Sequence, residues 1–293
     1  MQKTNEIRRR IGAVEETRKI TNAMHLVASA RAKKVIPKME YNRVFLRQVQ
    51  SVMKDILLSP HLGDHPYLTK HPHTRRTYLV ISGDKGMAGS YNSALLQAAY
   101  KEISTKLRVG NEIDRKNLTL ITIGLMGEEF FRARGIAPDE HYGGVTQDPS
   151  LFNARQIALD VLERFDQKQT DQVFLIFTPY QNGMAGEPIC HRILPLRLSD
   201  FLDVDATEPA HEIYYPYSET EVFQHLVPQY LVGYIFGALM HSYASEHTAR
   251  MLAMQSATRN ADEMLGKLHL EYNLARQAAV TQEIAEITSA MFI

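Results

Sequence analysis

The segment SGDKGMAGSYN, residues 82–92, holds the residue types in this chain best suited to binding chemistry. It follows the apolar run TYLVI and precedes the helix-like SALLQAAYKEIS. Glycine-rich turns between a strand and a helix can cradle phosphate groups, because the first backbone N–H groups of a helix have no partner within it. The segment therefore raises the hypothesis of a nucleotide site at Gly83, Lys85, Gly86 and Gly89.

The spacing of these glycines does not match the known phosphate-binding motifs. A Walker A loop needs Gly-x4-Gly-Lys-Ser/Thr, but Lys85 precedes the second glycine here. A dinucleotide fingerprint needs Gly-x-Gly-x-x-Gly and an acid after the second strand, where this chain has Gly124. We interpret the glycines as a tight strand-to-helix turn, which glycine serves by tolerating positive φ. A stand-alone protein that binds a nucleotide at residues 83–89 is the alternative.

Other residues with catalytic or metal-binding potential form weaker patterns. Ser82 and Lys85 make a Ser-x-x-Lys match without its usual partner motifs. Neighbouring Glu128 and Glu129 point to different sides of a helix, which does not suit a carboxylate pair. Linker histidines are expected to be solvated rather than to bind a metal, and they are His61, His65, His71 and His73. We predict no catalytic residues, no metal and no cofactor.

Composition limits the class of protein. The chain has 293 residues, 33 basic and 33 acidic side chains, and 44% hydrophobic residues, which suffices for a sizeable core. The single cysteine, Cys190, excludes an internal disulfide and a four-cysteine zinc site. The most apolar run, residues 230–240, is far shorter than the roughly 20 residues that a membrane-spanning helix needs. The N-terminal MQKTNEIRRR lacks the pattern of a signal or transit peptide, so we expect mature protein.

The neutral total charge divides unevenly along the chain. Residues 1–54 carry 13 Lys and Arg against 4 Glu, and the remaining residues carry an equal excess of acid. Residues 198–249 contain no Lys or Arg. A basic coiled coil that binds nucleic acid is a further alternative, but the segment lacks base-reading aromatic elements, so we predict no nucleic-acid partner.

Hydrophobic periodicity predicts two terminal helices around an α/β domain. Residues 1–58 repeat apolar or small residues every three or four positions, and residues 212–293 return to that period. Residues 74–211 alternate β-rich runs with helix-like runs, which predicts a Rossmann-like parallel sheet whose last run, ICHRILPLRL, lies at an edge. A seam in the C-terminal helix predicts a coiled coil with the N-terminal helix, and Pro228 predicts a kink or an interruption. The seam comprises Ala257, Ala261, Met264, Leu268, Tyr272, Ala275 and Ala279.

Both ends of the sequence resemble one known family. Residues 243–290, YASEHTARMLAMQSATRNADEMLGKLHLEYNLARQAAVTQEIAEITSA, closely resemble the C-terminal helix of the gamma subunit of F-type ATP synthases. Residues 7–34, IRRRIGAVEETRKITNAMHLVASARAKK, resemble that family's N-terminal helix, and SGDKGMAGSYN its Asp-Arg-Gly-Leu-Cys-Gly-Gly-x-Asn segment. The resemblance spans the chain.

The resemblance implies a central-stalk rotor without an active site of its own. In this family an antiparallel coiled coil of the two terminal helices stands, one copy per complex, inside a hexamer of three alpha and three beta subunits. The α/β domain forms a foot that contacts the epsilon subunit and the membrane c-ring. Rotation of the asymmetric shaft then couples ion flow to ATP synthesis or hydrolysis at the beta subunits. The implied location is peripheral, on the cytoplasmic face of the bacterial inner membrane.

The resemblance also implies contact residues for the beta subunits. They are Met24, Arg31, Lys34, Arg250, Arg276, Gln277 and Thr281. The foot loop departs from the family pattern, since Lys85 stands for arginine and Ala88 for cysteine, and His25 stands where glutamate is usual after Met24. Tyr215-Pro216-Tyr217 replaces the usual Tyr-Glu-Pro before the last helix, which puts the foot's contacts with epsilon and the ring in doubt.

Overall fold

The computed structural model describes residues 2–59, 62, 65–68, 75–109, 112–202 and 218–291, and their side chains except those of residues 2, 3, 108, 109, 112 and 289–291. His61, His71, His73 and the Tyr215-Pro216-Tyr217 segment lie outside these residues. The chain forms two compact units. We call residues 1–30 with 250–293 the helix pair, and residues 31–249 the α/β unit.

Five α-helices and nine strands make up the described residues, with a short 3-10 helix at Leu198–Phe201. The helices are α1 (Gln2–Leu58), α2 (Tyr91–Lys106), α3 (Leu125–Arg132), α4 (Leu151–Asp166) and α5 (Glu219–Met291). The strands are β1 (Arg76–Ile81), β2 (Arg108–Val109), β3 (Glu112–Ile113), β4 (Leu118–Ile123), β5 (Glu140–Tyr142), β6 (Gln172–Phe177), β7 (Tyr180–Gln181), β8 (Met184–Ala185) and β9 (Ile189–Leu194). The mixed α/β architecture with long terminal helices confirms the predicted fold class.

The main sheet has the strand order β5-β4-β1-β6-β9. Strands β5, β4, β1 and β6 are parallel, and β9 pairs antiparallel at the edge, as its sequence predicts. The two faces of the sheet are both covered, because Tyr78 and Val80 pack towards α2 and α3 while Leu79 and Ile81 pack towards α1, α4 and α5. Burial on both faces explains why β1 reads as a continuous apolar run.

Helix α5 starts at a reciprocal cap and continues through its proline. The Ser218 Oγ accepts from the Glu221 N–H at 3.3 Å, and the Glu221 carboxylate accepts from the Ser218 N–H at 3.2 Å. Of the predicted kink or interruption at Pro228, the interruption does not occur, since the helix runs unbroken from Glu219 to Met291. Burial of the side chains around the proline outweighs the loss of its backbone hydrogen bond, since Val227, Tyr230 and Leu231 are almost fully buried.

The helix pair is antiparallel and uses most of the predicted seam. Ile7 and Ile11 of α1 pack against Leu268 of α5. The hydroxyls of Thr21 and Thr258 lie 2.8 Å apart further along the pair. Met264 is an exception, with 52% of its surface exposed, and Leu265 packs against the seam instead. A single-residue shift is expected where a heptad pattern meets a helix of 3.6 residues per turn.

His65 is buried rather than solvated, contrary to the sequence-based expectation. Its side chain is 3% exposed and its ring packs edge-on against Phe223 at 5.0 Å between centroids. The Tyr67 N–H donates to its Nδ1 at 3.3 Å. Burial lowers its pKa, because a protonated ring would lose its hydration.

One ion pair ties the start of β1 to the start of β6. The Asp171 carboxylate is 2% exposed and accepts from the Arg75 backbone N–H at 3.0 Å and from its guanidinium at 3.1 Å and 3.2 Å. We expect Asp171→Ala to lower the free energy of unfolding by about 3 kcal/mol, because three donors lose their acceptor. Urea unfolding measures this. Glu40→Ala, which removes the exposed pair with Arg43, is the control and should change little.

Two half-buried histidines of the α/β unit predict a lower free energy of unfolding in acid. Burial lowers the pKa of both His191 and His241, and the His241 Nδ1 accepts from the Tyr180 N–H at 3.1 Å. The unfolded state therefore binds more protons below pH 6.5, so stability present above that pH is lost as the pH falls towards the folded pKa values.

We expect the free energy of unfolding to fall between pH 7.5 and 5.5, by at most about 1.4 kcal/mol per pH unit and histidine. Urea titrations at several pH values measure it. His241→Asn keeps an acceptor near the Tyr180 N–H and should flatten the slope, whereas an unchanged slope would contradict the assignment.

Candidate functional site

The glycine loop uses its own polar groups to hold its shape. The Gly83 N–H donates to the Asn92 Oδ1 at 2.9 Å, and the Asn92 amide donates back to the Lys85 carbonyl at 3.3 Å. Asp84 accepts from the Leu125 N–H at 2.9 Å and from the Thr146 hydroxyl at 2.7 Å. The loop is thus braced to α2, to α3 and to the segment before α4.

A carboxylate lies against the loop where a phosphate would approach. A Cβ added at Gly83 would lie 2.9 Å from the Glu246 Cδ and 3.0 Å from each carboxylate oxygen. The Glu246 side chain belongs to α5 and is 5% exposed. An incoming phosphate would meet this negative charge, so the geometry disfavours a nucleotide at residues 83–89.

The remaining loop residues have different roles. Gly89 has φ of 58°, a conformation that favours glycine, while a Cβ added at Gly86 would meet nothing within 4 Å. Lys85 and Gly86 are exposed. The sharpest requirement falls on Gly124, which has φ of 96° and whose Cβ would lie 2.1 Å from the Ser82 carbonyl oxygen. The missing side chain at Gly124 lets the carboxyl ends of β1 and β4 lie close together.

Helix α5 fills the crevice at the carboxyl edge of the sheet. The Tyr91 hydroxyl donates to the Ser242 carbonyl at 3.2 Å, and the Ser245 hydroxyl donates to the Thr178 carbonyl at 3.2 Å. Gly83 follows β1 and Thr178 follows β6, and these neighbouring strands flank the point where the strand order reverses. Ligands of open α/β sheets bind at such a point. In this chain a helix occupies it.

The helix pair presents large apolar side chains on its outside. The exposed set consists of Ile20, Leu26, Val27, Leu252, Met264, Leu270, Leu274, Val280, Ile284 and Ile287. From Val280 to Thr288 every side chain is exposed. Scattered single residues are normal on a surface, but this density along one element marks an interaction surface.

A second apolar surface lies on the α/β unit. A groove of about 850 Å³ runs between α1, α4 and α5. Its lining includes the exposed Tyr41, Phe45, Leu151 and Leu159, with Lys38 and Arg155 beside them.

The part of the chain that the structure describes holds neither a candidate metal cluster nor a candidate membrane-spanning helix. No cluster of three His, Cys, Asp or Glu side chains there could hold a metal ion. No helix in the same residues contains an apolar stretch long enough to cross a membrane.

Comparison with known proteins identifies the family. A family model described as ATP synthase matches residues 3–291. The chain is 34% identical to the ATP synthase gamma chain of Alkaliphilus metalliredigens over 287 residues, which covers 97% of this chain and 96% of that one. The chain belongs to the ATP synthase gamma chain family. It is also 33% identical to the gamma chain of Exiguobacterium sibiricum, with 99% and 98% of the two chains covered.

Solved structures share the fold of this gamma-chain family member. A chain of the Euglena gracilis mitochondrial ATP synthase, from a structure containing OSCP, F1 and the c-ring, matches with a TM-score of 0.67 and 14% identity, covering 99% of this chain and 94% of that one. A chain of the Tetrahymena thermophila central stalk and c-ring matches with a TM-score of 0.62 and 22% identity, covering 81% and 99%. The family resemblance read from the sequence is confirmed.

The predicted contact residues occupy three different environments. Met24 is half-buried in the helix pair, and Arg250 is 7% exposed. Arg276, Gln277 and Thr281 are exposed on α5, where the Thr281 hydroxyl donates to the Gln277 carbonyl at 2.9 Å. Arg31 and Lys34 are exposed on α1 and line one small hollow of the α/β unit. Apart from these two local groupings, the structure does not bring the seven residues into one site.

Sequence reasoning missed the residues that hold α5 in the sheet crevice. Tyr91, Ser245 and Glu246 belong to segments that the family resemblance covers. Nothing in their spacing shows that Tyr91 meets Ser242 across 151 positions, or that Ser245 meets Thr178 across 67. One signal was present. Glu246 is the only charged residue between Glu221 and Arg250, which is unusual enough to suggest a specific partner.

Proposed function

We propose that this chain is the central-stalk rotor subunit of an F-type ATP synthase, and that it couples ion flow through a membrane ring to ATP synthesis or hydrolysis. Family membership supports the assignment to the complex. The observation that carries the rotor role is the helix pair, whose outer faces hold apolar side chains along its length. Such a pair needs a surrounding partner, and a hexamer of alpha and beta subunits supplies one.

The chain acts in this proposal without catalysing a reaction itself. The nucleotide sites belong to the beta subunits. The glycine loop has a structural role, because the Glu246 carboxylate packs against its Gly83. The helix pair is asymmetric, so each beta subunit meets a different face and is biased towards a different nucleotide affinity. The coupling is reciprocal, since a contact that shifts the nucleotide site is shifted by it in return.

Seven residues are proposed to contact the beta subunits. Met24, Arg250, Arg276, Gln277 and Thr281 belong to the helix pair, and Arg31 and Lys34 belong to the α/β unit. The cations Arg31 and Lys34 have no ion-pair partner among the described residues, so both can meet carboxylates of a partner. Each exposed pair would contribute at most about 1 kcal/mol, which suits contacts that must be released in every turn.

The α/β unit is proposed as the foot of the rotor. It would contact the epsilon subunit and the c-ring, and the apolar groove beside Lys38 and Arg155 is a surface that another subunit can cover. Residues 1–58 and 212–293 are proposed to supply the two long helices, and residues 74–211 the sheet domain. The sheet domain forms the foot together with the described helix residues between 31 and 249. The location is peripheral, on the cytoplasmic face of a bacterial inner membrane, with one copy in each complex and no nucleic acid.

Co-expression with alpha and beta subunits from the same genome tests the proposal. We expect a complex with one copy of this chain for every three alpha-beta pairs, measured by native mass spectrometry, and no ATPase activity from the chain alone. Removing residues 243–293 should abolish the ATPase of the complex. A folded full-length chain that does not assemble would contradict the proposal.

A further inference from the structure

The α5 segment His241–Glu246 is held by four contacts from one edge of the sheet. We call these contacts the α5 clamp. They are the Tyr91 hydroxyl on the Ser242 carbonyl, the Ser245 hydroxyl on the Thr178 carbonyl, the Tyr180 N–H on the His241 ring, and the packing of the Glu246 carboxylate on Gly83. They fall within six consecutive residues, fewer than two turns of helix.

The clamp differs in kind from the apolar packing around it. Met240 and Ala244 on the same helix are fully buried against Val35 of α1, and this packing is non-directional. Hydrogen bonds weaken steeply when their angles change, so three of them on one short segment oppose rotation and sliding of the helix. The clamp therefore fixes the rotation of α5 about its own axis relative to the sheet. Apolar packing alone would resist this rotation less.

Gly83 makes the fourth contact possible. Any side chain there would place its Cβ within 3.0 Å of the Glu246 carboxylate, which is buried and confined. Two hydrogen bonds brace the loop at this position, since the Gly83 N–H donates to Asn92 and Asp84 accepts from the Leu125 N–H of α3. The Glu246 carboxylate therefore packs directly against the backbone of Gly83.

We propose that the α5 clamp is the joint, within the α/β unit, through which torque passes between the sheet and helix α5, with Gly83, Tyr91 and Ser245 as positioning residues. The inference rests on the proposed rotor function and adds the location of the mechanical connection. Because the clamp lies at the sheet crevice that ligands commonly occupy, a glycine loop of nucleotide-binding appearance serves here to hold a helix.

The test measures the angular fluctuations of a probe on the α/β unit in assembled complexes. The hexamer is fixed to a surface and catalysis is stopped with a non-hydrolysable ATP analogue. We compare Gly83→Ala, Tyr91→Phe and their combination with the wild type. Gly86→Ala is the matched control, because its Cβ meets nothing within 4 Å in the same loop. Tyr91→Phe removes only the hydroxyl, so it keeps the test usable if Gly83→Ala does not fold.

We expect the angular variance to rise with each clamp variant and to stay unchanged in Gly86→Ala. Four equal parallel contacts reduced to two would raise the joint's own variance about twofold in the double variant, if the contacts act independently. A merely structural role would lower the melting temperature and leave the variance of surviving complexes unchanged, which would overturn the inference alone. A wild-type complex that hydrolyses ATP without turning the probe would overturn the rotor function, and the inference with it.

Discussion

Gly124→Ala is expected to destabilise the α/β unit strongly. The new Cβ would lie 2.1 Å from the Ser82 carbonyl oxygen and 2.8 Å from its carbonyl carbon, and both atoms belong to the backbone of the central strand's end. No rotamer change relieves such a clash. The Ser82 N–H also donates to the Ile123 carbonyl at 2.8 Å, so separating the two chains would break the ladder between β1 and β4.

We expect a loss of about 4 kcal/mol in the free energy of unfolding, from the clash together with the strain of φ at 96°. The thermal midpoint should fall by about 10 °C, measured by near-ultraviolet circular dichroism. Gly135→Ala is the control, since Gly135 also has positive φ but a Cβ there meets nothing within 4 Å. Equal losses in the free energy of unfolding for Gly124→Ala and Gly135→Ala would show that the strain of positive φ alone causes the loss. That result would contradict a contribution from the clash with Ser82.

Leu268→Asp is expected to separate the two segments of the helix pair. Leu268 is 8% exposed and packs against Ile7 and Ile11 of α1. A carboxylate in this apolar seam would lose hydration, and its desolvation should cost about 3 kcal/mol or more. Long helices in proteins depend on packing more than on intrinsic propensity, so both segments should lose protection.

Hydrogen exchange of residues 4–30 and 250–288 measures this effect, and the ATPase of the assembled complex should be lost with it. Leu270→Asp makes the same chemical change two positions away, on a side chain that is 63% exposed. It should leave exchange in the helix pair unchanged. If both variants retain full protection, the seam of the pair lies elsewhere.

The helices and strands of the fold could be predicted from the sequence because the residue patterns that specify them are local. The continuous apolar runs of β1, β4 and β6 predicted buried parallel strands, and Pro195 correctly suggested that the preceding strand lies at an edge. Errors arose where tertiary packing overrides a local rule. Pro228 does not interrupt α5, and His65 is buried under Phe223, because core contacts outweigh the preferences of single residues.

The glycine loop shows why a candidate functional site is harder to predict from the sequence than a helix or a strand. Its spacing excluded the known phosphate motifs, which was enough to doubt a nucleotide, but the reason for Gly83 lies 163 positions away in Glu246. Contacts between segments so distant depend on how the helix docks on the sheet, and no periodicity encodes that. The family resemblance supplied the contact residues, and they stay predictions.

The most direct test of the account is to watch whether this chain turns. A chain with Cys190→Ser and Lys101→Cys carries its only thiol on an exposed position of α2, and this thiol holds a probe while the alpha-beta hexamer is fixed. On addition of ATP we predict continuous rotation of the probe in one direction, with rotation lost in the Leu268→Asp complex. ATP hydrolysis at the normal rate by a complex whose probe only fluctuates about one angle would contradict the account.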